Sequence, residues 1–299
     1  MAKKMGIRAD VVHRLLAITA MFMLGSGTAQ ACAANLAPSQ IAQADAYLAE
    51  NNSVATFALM YPLSQQGSGG ANQYLSRMYE EGRGLKKSPF MVRHLNWMGA
   101  QDSDSESMYR TGKDFFERGF TKDGEYWVGR AVDCGHPEAL VLLLERRILE
   151  GRTSEALQLM ESGVDKSFPA VKFILAEQYD KAGLGLAKDP QMAFRWYYSA
   201  AKDGYAKAMA AVAYFFNQGI HGVQDDLAAR HWYFQAAKAG HIESITAYAW
   251  MLANGKGGPK DIDEARYFFK KASKAGDKNA TRFLNEYPAE GSGAFRKKG

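Results

Sequence analysis

The chain has 299 residues, 47% of them hydrophobic and 23% charged, a composition that excludes a disordered polymer and provides for a sizeable core. Of the formal net charge of +5, +3 lies in residues 1–31 and +3 in Arg296, Lys297 and Lys298, which leaves −1 on the body between them. A body without a basic excess excludes the electrostatic footprint of a nucleic-acid binder.

In chain order the first predicted element is an export signal over residues 1–31. Basic residues up to Arg14 precede the apolar run Leu15–Leu24, and Ala29 and Ala31 then stand in A-x-A spacing. The apolar run is shorter than the ~20 residues a spanning helix needs, so no transmembrane helix is expected. Cleavage after Ala31 would leave Cys32 first. A lipid anchor at Cys32 is therefore an alternative, although Gln30 and Ala29 depart from the small residue and the leucine that lipoprotein signals prefer. The second cysteine is Cys134. A disulfide between the two suits an oxidising compartment. The alternative, and the preferred reading of Cys134, is a buried small apolar residue.

Residues 32–67 read as a capping helix pair, over Pro38–Glu50 and Val54–Gln66, with Asn51, Asn52 and Ser53 as the turn. Gly67–Gly70 breaks the pattern. Ala71–Ser103 is a first repeat, in which Leu75, Met78 and Tyr79 share one helical face and Gly82 and Gly84 end the helix. Met108–Gly135 and Pro137–Gly163 are shorter pairs, the second helix of the former opening at Trp127.

Three regular repeats follow, Ala170–Gly204, Ala206–Gly240 and Ile242–Gly276. Their second helices carry AFRWYYSAAKDG, ARHWYFQAAKAG and ARYFFKKASKAG at a period of 36 residues. Trp196, Trp232 and Phe268 share a register, as do Ala200, Ala236 and Ala272, and Gly204, Gly240 and Gly276. A period of this size marks a stacked repeat array, and these columns are expected to build the stack. Asp189, Asp225 and Asp261 stand where they would cap the second helices. Asn279–Tyr287 is a half-repeat, so the solenoid runs over 68–286, and 287–299 reads as a disordered basic tail.

These residues resemble the Sel1-like repeat family of the tetratricopeptide-repeat superfamily. The likeness rests on L-x-x-x-Y-x-x-G-x-G, carried by Leu75, Tyr79, Gly82 and Gly84 and by Leu175, Tyr179, Gly183 and Gly185, followed by A-x-x-W-x-x-x-A-A-x-x-G, carried by the three aligned segments. His221 replaces the usual second glycine and Tyr248 fills a column that is normally small. The resemblance implies an all-α, right-handed α/α solenoid. It also implies a protein or peptide partner in the cell envelope, with the chain serving as a scaffold for assembly, secretion or signalling. Two alternatives come with it, a lipid-anchored exopolysaccharide-secretion factor and a binder or hydrolase of cell-wall fragments. The hydrolytic members carry regular cysteine pairs, and this chain does not.

Candidate chemistry is sparse, and no catalytic residue, metal site or cofactor is expected. No His-x-x-x-His pair occurs, Gly255–Gly258 lacks the strand and the Lys-Ser/Thr of a phosphate loop, and Cys134 and His136 sit in one turn. Aromatic residues are more informative. Gln178, Tyr214 and Trp250 share a register on the first helices, where they would either line a binding groove or pack against the preceding repeat, since the period gives facing but not exposure. Tyr198 and Phe234 share one on the second helices, one position off the buried face.

Overall fold

The computed structural model describes residues 36–286. Among these residues the structure is all-α, with fifteen helices and no strand. They are α1 Pro38–Ala49, α2 Ser53–Gln65, α3 Gly69–Glu81, α4 Pro89–Gln101, α5 Ser105–Glu117, α6 Thr121–Asp133, α7 Pro137–Leu149, α8 Thr153–Asp165, α9 Pro169–Lys181, α10 Pro190–Lys202, α11 Ala206–Gln218, α12 Asp226–Lys238, α13 Ile242–Asn254, α14 Ile262–Lys274 and α15 Lys278–Glu286. The export signal and the basic tail lie outside the described residues. No described helix is long and apolar enough to cross a membrane.

Side-chain caps set where the helices begin. Ser68, Ser88 and Asp104 each accept a backbone N–H three residues on, and Asp189, Asp225 and Asp261 cap α10, α12 and α14 in the same way. Each satisfies a donor that the first helical turn leaves free.

The chain divides into two compact units at Leu159/Met160, inside α8. Within each, helices adjacent in sequence pack side by side. This is the α/α solenoid arrangement, in which each pair buries its apolar faces against the next. In the unit before Met160, one core gathers Met60, Leu75, Met78 and Leu95, and a second gathers Met108, Trp127, Val128 and Leu143. In the unit after it, Phe269, Leu252, Ile245 and Phe283 form the core of the last repeats.

Two glycine-containing stretches behave differently from their sequence reading. Gly69 and Gly70 are the first residues of α3, not a break, and a Cβ on Gly69 would come within 2.6 Å of the Asp104 Cβ. Likewise α6 starts at Thr121, six residues before Trp127, and Gly124 lies buried inside it against the ring of Phe116. In both places glycine serves close helix approach rather than a turn.

Candidate interaction surface

The register of Tyr214 and Trp250 is set by the helix period. On α13 the exposed residues are Glu243, Trp250 and Asn254, with Ala247 half-buried between them. This 4-3-4 spacing is one helical face. The same face on α11, 36 residues earlier, holds Lys207, Ala211, Tyr214 and Gln218. Tyr214 is 50% exposed and Trp250 43%, each on a helix whose other large apolar residues are buried or half-buried. Two open depressions flank Trp250. One, of about 470 Å³, is lined by Asn217, Tyr233 and Lys256, and the other, of about 460 Å³, by Glu243, Thr246 and Asn279. Burial pushes the Tyr233 hydroxyl up to about 12, so it stays a neutral hydrogen-bonding group. The surface therefore offers two aromatic rings amid amides and hydroxyls, with the charged residues Lys207, Lys256, Arg282 and Glu243 around them. It can hold an extended polypeptide.

Trp250 is only partly free. Its indole stands edge-on to Phe283 at 4.6 Å and to Phe269 at 5.8 Å, so one side of it packs into the following half-repeat. Gln178 does not share the open face. It is half-buried on α9, where Val171 and Leu175 occupy the equivalent positions and are buried, and its amide donates to the Ile174 carbonyl at 3.4 Å. Tyr198 and Phe234 lie elsewhere. Tyr198, 39% exposed, meets Trp232 edge-on at 5.5 Å. Phe234 packs on Tyr248 at 5.1 Å, against the buried face of α13 and not the face that bears Trp250.

The repeat columns are placed as follows. Ala200, Ala236 and Ala272 are fully buried, and Gly204, Gly240 and Gly276 take left-handed backbone angles just after their helices. Trp196, Trp232 and Phe268 are half-buried. The stripe residues Glu243, Ala247 and Asn254, with their α11 counterparts, are absent from the sequence-derived set. The 36-residue period combined with 4-3-4 spacing carries the signal that finds them.

Residues considered for chemistry have structural work. Cys134 is disulfide-bonded at the end of α6, which corrects its reading as a buried apolar residue, and the other cysteine, Cys32, lies outside the described residues. His136 caps α7. Its Nδ1 accepts from the Ala139 N–H at 3.2 Å, so Nε2 carries the proton and donates to Glu106 at 2.8 Å. Neither a thiolate nor a free imidazole is thus present at this turn. The loop Gly255–Gly258 packs on the start of α12, where a Cβ on Gly257 would run into the Asp226 carbonyl, and Arg230 donates to the Pro259 carbonyl at 3.0 Å. Among the described residues no group of three histidine, cysteine or carboxylate side chains is placed to hold a metal.

A family model for the Sel1 repeat matches residues 70–90, 175–205, 206–241 and 242–277. No curated protein matches the chain in sequence. Among solved structures it is similar to a protective antigen of uropathogenic Escherichia coli displaying an SLR fold, at 19% identity and a TM-score of 0.53, over 81% of this chain and 55% of that one. The chain thus spans about half the length of that antigen, and the likeness is one of fold. It is also similar to a Sel1 repeat protein from Oxalobacter formigenes, at 27% identity and a TM-score of 0.42, over 44% of this chain and 98% of that one. A third similarity is to cysteine-rich protein B of Helicobacter pylori, at 18% identity and a TM-score of 0.34, over 42% of this chain and 94% of that one.

Proposed function

The chain belongs to the Sel1 repeat family, whose members are generally protein-interaction scaffolds, and from that premise we propose that it is an exported scaffold holding a protein or peptide partner in the bacterial envelope. The observation that carries the reading is the periodic stripe on α11 and α13. It keeps Tyr214 and Trp250 exposed at equivalent positions 36 residues apart. Exposed rings in register are anchors of the kind that dominate interface energetics. Export is supported by the A-x-A signal and by the disulfide of Cys134, since such bonds persist in oxidising compartments. That bond also weighs against the lipid-anchored alternative. Cys32 is the only other sulfur of its kind in the chain, and a thioether-linked lipid would consume it. The hydrolytic alternative loses its nucleophile for the same reason.

Affinity purification from the native envelope, with wild type and a Tyr214→Ala/Trp250→Ala variant, tests the assignment. Recovery of the partner should fall by at least tenfold with the helical circular dichroism unchanged. Because Trp250 also packs on Phe283, Tyr214→Arg serves as a second variant at an open position. Full recovery with Tyr214→Arg and with the double variant would sink the stripe as the contact surface.

A further inference from the structure

A third cavity lies in the unit before Met160, between α4 and α5, with a volume of about 240 Å³. Pockets for drug-sized ligands run to ~300–1,000 Å³. This one fits a single large side chain. Phe90, Trp97 and Phe115 line it, and Phe90 and Trp97 are 67% and 48% exposed. Two polar atoms of its wall have no hydrogen-bond partner, Asn96 Oδ1 and Thr111 Oγ1, on residues only 7% and 6% exposed. An acceptor buried without a donor costs stability, and a native chain that keeps one has a use for it. Arg93 is exposed on the same wall and forms no ion pair among the described residues, whereas Arg110 is held by Glu106 and Glu80, and Asp114 by Arg118.

The geometry points to a short acidic peptide segment of a partner protein that seats one large apolar side chain in this cavity. The side chain covers Phe90, Trp97 and Phe115. A main-chain N–H of the segment donates to Asn96 Oδ1, a main-chain carbonyl accepts from the Thr111 hydroxyl, and an aspartate or glutamate beside the anchor meets the Arg93 guanidinium. Every group that the wall lacks is one that a peptide residue and its acidic neighbour supply. Glu80, Glu106 and Glu117 line the adjoining surface, so the segment carries its single acidic residue on the Arg93 side of the anchor, and a phosphate-rich ligand is disfavoured. This site rests on the scaffold reading and adds a contact to it outside the stripe of α11 and α13.

The test is fluorescence anisotropy of the full chain with the labelled peptide Gly-Asp-Trp-Gly-Gly, beside counterparts with Ala in place of Trp or Lys in place of Asp. The Trp peptide should bind saturably, and both counterparts at least tenfold more weakly. Arg93→Gln, at an exposed position, should weaken the Trp peptide at least tenfold. Asn96→Leu should do the same while raising the thermal midpoint, because it removes an acceptor that has no partner. If Asn96 merely supported the fold, its loss would lower the midpoint. Absence of saturable binding, equal binding of the three peptides, or unchanged affinity in both variants would overturn the site, and would leave the stripe on α11 and α13 to be judged by its own purification experiment. Self-association of the chain that the Trp peptide displaces would assign the cavity to a second copy, and so overturn the partner-segment assignment.

Discussion

Glu106 ties three helices together through one carboxylate. One oxygen accepts from His136 at the start of α7, and the other from Arg110 on its own helix α5, whose guanidinium continues to Glu80 on α3. Tyr109 stacks on the His136 ring at 4.8 Å and shelters the pair. The hydrogen bond from His136, joined by Arg110, outweighs burial and holds the Glu106 carboxyl down at about 2, against 4.5 for an ordinary glutamate. The folded state therefore binds this proton more weakly than the unfolded one. The resulting stability is fully present above about pH 4.5 and is lost as pH falls toward 2. Urea midpoints at pH 7, 4 and 2.5 should show it. Glu106→Gln is expected to lower the midpoint at pH 7 and to flatten the decline between pH 4.5 and 2.5 relative to wild type, whereas an unchanged slope would remove Glu106 as its source. Arg147 is built on the same logic. Buried at 6% exposure, it is met by Glu125, Glu150 and Glu155 at 2.7–3.1 Å. Nothing in the sequence marks either cluster, because the partners lie up to 30 residues apart and only the stacking of pairs brings them together.

Helices α2 to α14 are all thirteen residues long, and only the loop inside each pair changes. First helices begin at Ser105, Pro137 and Pro169, a period of 32, and then at Ala206, Ile242 and Lys278, a period of 36. The longer loop appears where a second glycine lets it lie on the start of the previous pair's second helix, as Gly84 does against Ser53 and Gly257 against Asp226. In the pair that has His221 instead, the imidazole stacks on Phe194 at 4.4 Å and fills the same place with a ring. The regular repeats were legible for this reason, since their identity resides in local columns of alanine, glycine and aromatics. The short pairs were less legible, because their glycines act at helix crossings whose partner lies in another helix. Gly112 on α5 is such a crossing. A Cβ there would sit 2.6 Å from Val128 Cγ2, 2.8 Å from the Val128 nitrogen and 3.0 Å from the Gly124 carbonyl oxygen. Backbone atoms cannot yield as a side chain can. Gly112→Ala should thus destabilise by about 2 kcal/mol, despite alanine's better helix propensity, and chemical denaturation would reveal a neutral or stabilising change if the crossing were loose.

A chain in which helices contact mainly their sequence neighbours has no single keystone, and its stability is close to a sum of pair terms and neighbour terms. Damage should then stay where it is made. The last described half-repeat offers a clean place to ask, because among the described residues no helix follows α15. Phe283 stacks on Phe269 at 4.2 Å and supports Trp250 at 4.6 Å, so a single ring closes the apolar end of the last repeat and steadies one anchor of the aromatic stripe. Phe283→Ala removes a side chain only 6% exposed, at a local cost of about 3–4 kcal/mol. In amide hydrogen exchange by mass spectrometry, peptides from α13 to α15 should lose protection, while those from α1 to α7 should exchange as in wild type. Uniform acceleration across all helices would instead mean that the whole chain opens as one cooperative body. The stripe links this to function. If Trp250 is held in its binding orientation by Phe283, the same variant should lower partner recovery to the extent that Trp250→Ala alone does, with the Tyr214 end of the surface intact.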